Sequence, residues 1–350
     1  MPTACINQPD CRIHLKSERL EIIARNPEKD RDEVLREIPL RDLDRLILTE
    51  SVQVTSAAMS ALLRGNIPVN YLGWNGQFLG GFLPAMNHHG LARLRQYERT
   101  RDSRFGLQMT GRLITAKIYN QRRILQRLAS GRKAGMVENG AEVPSSSTSG
   151  LDAALSWLDS LFASLKTAQS IDELRGYEGA STARYFQCWA AFLPDTFPFE
   201  RRSTRPPLNP VNACISFGST LIYTELVSFI HAHGLDPALG LLHATEDGRW
   251  SLALDLMEPF RPVLVEALAL DLFSHQILNT SHFEPKNGGV YLNEDGRKKF
   301  FLQYERRMER QFLSESAGHR TTLRQQLENQ AVMFKAALAV DQAFEPFLIN

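Results

Sequence analysis

A change of hydrophobic rhythm near residue 90 constrains this chain more than any other feature. Before it, apolar residues come in short runs separated by turn residues: 11–23, 45–48, 52–54, 67–72 and 77–83, the last following Trp74-Asn75-Gly76. After it, Leu91, Leu94, Tyr97, Leu107, Leu113, Ile114, Ile118, Ile124, Leu125 and Leu128 recur at intervals of three and four. The rhythm predicts an α+β protein. A small β-rich N-terminal domain occupies 1–89, and a larger, mostly α-helical domain occupies 90–350. The boundary falls at 87–90.

One helix interrupts the first part at 56–64, closed by Gly65-Asn66. In the second part, helical patterns cover 151–168, 180–192, 212–233, 256–273, 296–313 and 321–343. Residues 135–150, with Val143-Pro144-Ser145-Ser146-Ser147-Thr148-Ser149-Gly150, are small and polar and predict a mobile loop. Three prolines within 203–210 demand extended chain, and Asn287-Gly288-Gly289 inside 282–292 predicts a β-hairpin.

Composition narrows the function classes. With 43% hydrophobic and 23% charged residues the chain reads as a globular protein, and 350 residues suffice for two domains. No apolar run reaches the ~18 residues a bilayer span needs, and Met1-Pro2-Thr3-Ala4-Cys5 lacks the features of a leader, so a cytoplasmic protein with no membrane partner is expected. Cys5, Cys11, Cys188 and Cys214 form no CxxC, which leaves zinc and iron–sulfur readings unsupported and predicts free thiols. Net charge is only +1, yet Arg93 to Lys133 holds twelve Lys or Arg against Glu98 and Asp102. That stretch is a candidate phosphate-binding face.

Three segments carry candidate chemistry. In Gly176-Tyr177-Glu178-Gly179-Ala180 a carboxylate between glycines is expected on a tight turn before a helix, either as a ligand or as a first-turn acid. Gly234-Leu235-Asp236-Pro237-Ala238-Leu239-Gly240-Leu241-Leu242-His243 delivers an imidazole, a metal ligand or a core histidine. In Leu254-Asp255-Leu256-Met257-Glu258-Pro259-Phe260-Arg261 the two acids share a face if both lie on one helical turn. Pro259 also allows Asp255 as an N-cap with Glu258 just inside the helix. Their apolar neighbours predict partial burial, costly for carboxylates unless a cation pairs with them. Glu178, His243 and Glu258 form an O, N, O donor set that suits Mg2+ or Mn2+ better than structural zinc.

Together with Tyr185-Phe186 and Pro206-Pro207-Leu208-Asn209-Pro210-Val211-Asn212-Ala213, these segments resemble, in order and spacing, the signature of the CRISPR adaptation integrase, the first-numbered Cas protein family. The resemblance implies metal ligation by Glu178, His243 and Glu258, with Glu258 where many relatives carry Asp and Asp255 as a supporting acid. Asn209 also stands where relatives often show Asp, and the serine-rich segment lies outside the motifs.

The implied activity is metal-dependent endonuclease and integrase chemistry. A 3′-hydroxyl of spacer DNA attacks a phosphodiester of the repeat, and water in its place gives hydrolysis. Implied partners are duplex DNA with 3′-OH ends, repeat DNA, a second copy of the chain joined through the N-terminal domain, and the small second-numbered Cas protein. Candidate DNA contacts are Tyr177, Arg201, Arg202, Arg205, Arg261, Arg297, Lys298 and Lys299; Tyr177 reads more readily as an aromatic packed at a domain edge. The competing classes are a metal-dependent phosphoesterase acting on small substrates and a non-catalytic DNA-binding scaffold.

Overall fold

The computed structural model describes residues 3–6, 8–26, 31–74, 76–85, 89–138, 145–314, 318–339 and 344–349. The N-terminal part contains β1 (Thr3–Ile6), β2 (Arg12–Lys16), β3 (Arg19–Asn26), β4 (Arg31–Pro39), β5 (Arg45–Thr49), β6 (Gln53–Val54), α1 (Ser56–Arg64), β7 (Val69–Leu72) and β8 (Phe78–Phe82). They build two four-stranded sheets, ordered β1-β5-β7-β8 and β4-β3-β2-β6. The run read as one unit at 11–23 is a hairpin, β2 and β3, turning through Ser17 at φ 55°. Asn66, at φ 57°, supplies the left-handed residue that ends α1, as a C-terminal stop requires.

Every residue of β5 is buried, because this strand serves two cores at once. Leu46 and Leu48 pack with Val69, Ile13, Leu20 and α1, whereas Ile47 and Leu72 belong to the core of the helical part. Period-two alternation therefore sends successive β5 side chains to opposite sides. Two strands carried no readable signal. β1 is only four residues long, and β4 is a charged strand at the edge of its sheet, where side chains mostly face water.

The helical part starts at α2 (Gly90–Thr100) and continues through α3 (Ser103–Glu138), α4 (Ser145–Thr167), α5 (Ile171–Ala190), α6 (Pro210–Ala232) and α7 (Ser251–Met257). A tight turn at Glu258–Phe260 and a wide π-helical stretch at Arg261–Glu266 then lead into α8 (Ala267–Ser274). The hairpin expected at 282–292 is present as β9 (Phe283–Lys286) and β10 (Gly289–Leu292), and α9 (Glu294–Glu309), β11 (Phe312–Ser314), β12 (His319–Thr321) and α10 (Leu323–Ala339) complete the chain. The β11–β12 pair was not anticipated.

The expected loop at 135–150 needs correction. Residues 135–138 finish α3 and 145–150 begin α4; 139–144 lie outside the described residues, as do 87–88 and 340–343. The four cysteines are free.

α6 is the one helix among the described residues long and apolar enough to cross a membrane, a feature the run-length reading overlooked because Ser, Thr and Glu225 interrupt it. Its most apolar window is 72% buried inside the fold. Glu225 on α6 pairs with Arg45 of β5 at 2.7 Å and with Arg324 of α10 at 3.3 Å, and accepts from the Tyr304 hydroxyl at 3.0 Å. Arg324 continues to Glu305 (2.7 Å) and Glu309 (2.9 Å). A buried charge is tolerable only when paired in this way, so the network ties sheet to helices.

Candidate active site

α3 and α5 lie side by side, with Leu113, Ile114 and Ile118 of α3 sharing a core with Leu174 and Tyr185 of α5. Ser181 of α5 is fully buried, and Gln121 Nε2 of α3 donates to Thr182 Oγ1 of α5 at 3.2 Å. This packing brings Lys117 of α3 against Glu178 of α5. The Lys117 ammonium donates to Glu178 Oε1 and also pairs, at 2.5 Å, with Oε2 of Glu258, which follows α7. Thr182 Oγ1 adds a second bond to Glu178 Oε1, 3.1 Å. Two carboxylates from separate elements thus close on one buried cation; the Lys117, Glu258 and Glu178 side chains are 3%, 5% and 25% exposed.

Glu178 is not on a turn. α5 begins at Ile171 behind the N-cap Ser170, whose hydroxyl accepts from the Glu173 amide at 3.2 Å, so Glu178 sits two turns inside the helix. The Ser-x-x-Glu start outweighs two interior glycines that cost about 1 kcal/mol each. A Cβ at Gly176 or Gly179 would meet open space, so packing does not demand glycine there either.

The expectation of Asp255 as an N-cap also fails. Asp255 lies within α7, fully buried, and accepts four hydrogen bonds from the 241–243 loop. Its Oδ2 takes the amides of Leu241 (2.5 Å) and Leu242 (3.0 Å); its Oδ1 takes the His243 amide (2.9 Å) and ring Nδ1 (2.7 Å). A buried carboxylate folded back onto a preceding loop and one capping its own helix look alike in sequence, since both need an acid next to apolar residues. Because an ionised carboxylate only accepts, Nδ1 carries the proton and Nε2 is the nitrogen left for a ligand. Arg175 of α5 ties the same loop to the helix that bears Glu178, donating from Nε (2.9 Å) and Nη2 (2.5 Å) to the Leu242 carbonyl.

Burial alone would raise the Glu258 carboxyl, but Arg261 and Lys117 outweigh it, helped by His243, and hold it down at about 2. Arg261 Nη1 donates to Glu258 Oε1 at 3.0 Å. Behind this pair Glu266 is buried and raised by that burial, against the pull of Arg261 and Lys117. Asn120 of α3 fixes the turn after Glu258 by donating to the Pro259 carbonyl at 2.7 Å. The site is therefore an array of acids and bases in fixed positions, with Glu258 ionised at neutral pH.

The model of the family "CRISPR associated protein Cas1" matches residues 4–306, most of the chain. The chain belongs to the Cas1 family. The CRISPR-associated endonuclease Cas1 1 of Thermodesulfovibrio yellowstonii is 33% identical over 314 residues, covering 89% of this chain and 92% of that protein. Among solved structures, a casposase bound to its integration product shares the fold at TM-score 0.82 and 21% identity, over 99% of this chain and 93% of its own. A chain of a Cas6-RT-Cas1–Cas2 complex does so at TM-score 0.77 and 24% identity, over 99% of this chain and 36% of its own.

The Cas1 family brings the question of a metal to this site. Among the described residues no three His, Cys, Asp or Glu side chains stand close enough to hold one ion. The donor chemistry nonetheless fits a divalent cation. Glu178 and Glu258 already share a cation, and the Asp255–His243 pair is the carboxylate–imidazole arrangement that orients metal-binding histidines.

The other sequence candidates are scattered. Tyr177 turns to Glu173, its hydroxyl donating to Oε1 at 2.9 Å, and so lies on another face of α5 from Glu178. Arg201 and Arg205 are exposed. Arg202 is half-buried, bonds Asn212 Oδ1 at 2.5 Å, and is brought down to about 10 by burial and by Arg261. Asn209 caps α6, accepting from the Asn212 amide at 2.8 Å.

Arg297 is structural, donating to the carbonyls of Trp74 (3.0 Å) and Leu292 (2.7 Å). Lys298 pairs with Glu294 at 2.6 Å, and Lys299 meets His282 Nε2 at 2.6 Å. Nor is 93–133 one basic face. Arg112 caps the Phe344 carbonyl, Arg122 pairs with Asp159, and Lys117 points inward, because a helix distributes consecutive cations around its whole circumference. Sequence reading missed Lys117, Arg175, Asn120 and Glu266. The one available signal was that Lys117 falls in the apolar spacing of Leu113, Ile114 and Ile118.

Proposed function

We propose that this chain is a metal-dependent DNA integrase and endonuclease of CRISPR adaptation, inserting spacer DNA into the repeat array through attack of a 3′-hydroxyl on a phosphodiester. The observation that carries the reading is the meeting of Glu178 and Glu258 on one buried cation, while Asp255 orients His243 on the loop that Arg175 ties to the helix bearing Glu178. Membership in a family whose relative in Thermodesulfovibrio yellowstonii is called an endonuclease supports the same chemistry. The fold shared with a casposase bound to an integration product agrees with strand transfer.

Glu178, His243 and Glu258 would hold the Mg2+ or Mn2+. When bound, the ion supplies charge to polarise the phosphoryl oxygen and to acidify the attacking hydroxyl or water. The chain's own part is positioning. Asp255 keeps the Nδ1 proton of His243 and presents Nε2. Arg261, anchored by Glu258, sets a guanidinium beside the seat, where a phosphate oxygen gains charge-assisted bonds. Arg201 and Arg205, both exposed, are further candidates to meet the DNA backbone.

The partners proposed are duplex DNA with 3′-OH ends, the repeat, a second copy of the chain, and Cas2, in keeping with the Cas6-RT-Cas1–Cas2 complex whose fold it shares in part. The test is strand transfer into a supercoiled repeat-bearing plasmid with purified Cas2 and Mg2+ or Mn2+. Glu178→Gln, His243→Ala and Glu258→Gln are expected to abolish transfer while duplex binding persists. Transfer that survives all three substitutions would leave a DNA-binding scaffold. Hydrolysis of a generic phosphodiester unaffected by competing duplex would favour a small-substrate phosphoesterase.

A further inference from the structure

A lysine in the middle of a long helix normally lies along the surface with its charge in water. Lys117 does the opposite. Its side chain is 3% exposed, and its ammonium lies between Glu178 and Glu258, within bonding reach of one oxygen of each. It forms an ion pair with each carboxylate, one on α5 and one just after α7. The charges of Glu178 and Glu258 are balanced by Lys117 and Arg261, which leaves these four side chains with no net negative charge to attract a dication.

A divalent ion bound by both carboxylates sits about 2.0–2.2 Å from each oxygen. The Lys117 nitrogen already fills that space, so ammonium and metal cannot share it. Building on the metal-dependent reading above, we propose that Lys117 is a metal-exchange residue. Its ammonium occupies the seat between Glu178 and Glu258 in the metal-free protein, is expelled when a divalent ion enters, and so sets the affinity of the site for that ion. It is a positioning residue. In the metal-free state it keeps two facing carboxylates from repelling each other, and any entering cation must displace it.

The test measures Mn2+ binding to the full chain without DNA, by electron paramagnetic resonance of the free ion, for wild type, Lys117→Met and Lys117→Arg. Lys117→Met is expected to bind Mn2+ about tenfold or more tightly, the worth of one charge-assisted hydrogen bond no longer competing, while Lys117→Arg, still cationic, stays near wild type. A Lys117→Met protein that melts cooperatively yet binds Mn2+ with unchanged or weaker affinity overturns the proposal, and that is what a purely structural role would produce. No Mn2+ binding in either protein overturns this inference and the metal-dependent reading together.

Should Lys117→Met fail to fold, the wild type decides the matter through the nitrogen-15 resonance of the Lys117 ammonium, assigned by its loss in Lys117→Arg. A protected signal that disappears into solvent exchange at saturating Mg2+ is expected. A signal unchanged at saturating Mg2+ overturns the proposal.

Discussion

Asp255→Asn keeps the shape of the side chain and removes its charge, and the hydrogen bonds made there set the cost. Asp255 uses Oδ2 for the amides of Leu241 and Leu242, and Oδ1 for the amide and ring nitrogen of His243. An amide has one accepting oxygen. Whichever way it is turned, its NH2 group faces either the Leu241 and Leu242 amides or the His243 amide and ring nitrogen, so two charge-assisted bonds disappear and at least one donor loses its partner. At about 1.5–3 kcal/mol for each such bond, partly relieved by relaxation of the loop, Asp255→Asn should cost about 3–5 kcal/mol. That is a large part of the roughly 5–15 kcal/mol that holds an ordinary domain together.

Urea denaturation at neutral pH reads the loss as a lower midpoint at unchanged slope. A second readout is the His243 Nδ1 proton, which resonates far downfield while bonded to a carboxylate and should vanish. Strand transfer should fall about 100-fold or more, the scale of a misplaced reacting group, with duplex binding retained. A variant that loses less than about 1 kcal/mol and still shows that proton would refute the assignment of Asp255 as anchor of the His243 loop.

Three further outcomes are expected. Glu258 ionises at about 2 when folded against 4.5 ordinarily, so its contribution, of the order of 3 kcal/mol, is complete above about pH 4.5 and is lost as pH falls toward about 2. In chelator-treated protein Glu258→Gln should flatten the acid limb of the stability curve across that window, and an unchanged limb would contradict the pairing. Gly240→Ala would place a Cβ 2.5 Å from the Ser251 Cβ and 2.6 Å from the His243 carbonyl, an overpacking worth about 1–3 kcal/mol that thermal melting would register. Arg45→Met leaves the fully buried Glu225 with Arg324 and Tyr304 only and should cost about 3 kcal/mol. A double-mutant cycle with Glu225→Gln should show coupling above about 1 kcal/mol, and strict additivity would count against the network.

Legibility in the sequence divides along physical lines. α1 and the β9–β10 hairpin were legible because their stop and turn residues act locally, Asn66 ending a helix and Asn287-Gly288 turning a strand pair, and α6 was legible from its apolar spacing, though not its Asn209 cap. The charged edge strand β4 was not, since a strand facing water has no apolar alternation to betray it. At the site, Glu178, His243 and Glu258 were named from motif spacing, yet the surroundings of two of the segments were misjudged. Glycines around Glu178 suggested a turn that the Ser170 cap overrides. Asp255 carries the same local signal whether it caps a helix or grips a loop twelve residues behind it. Lys117 was counted with its cationic neighbours because inward and outward lysines differ only in what other helices bring to them, and that information is tertiary.

The double service of β5 bears on how this molecule can be divided. The change of rhythm at residue 90 marks where the chain switches habit, and it invites a cut there. Ending the protein at that point would bare Ile47 and Leu72 on one fragment and the helical core they join on the other, and would strand Arg45 away from Glu225. Neither half could be produced alone without a new apolar face and an orphaned charge. A truncation series that aims to isolate the catalytic helices should therefore yield aggregates, and exchange of segments between relatives should succeed only when β5 and α6 travel together.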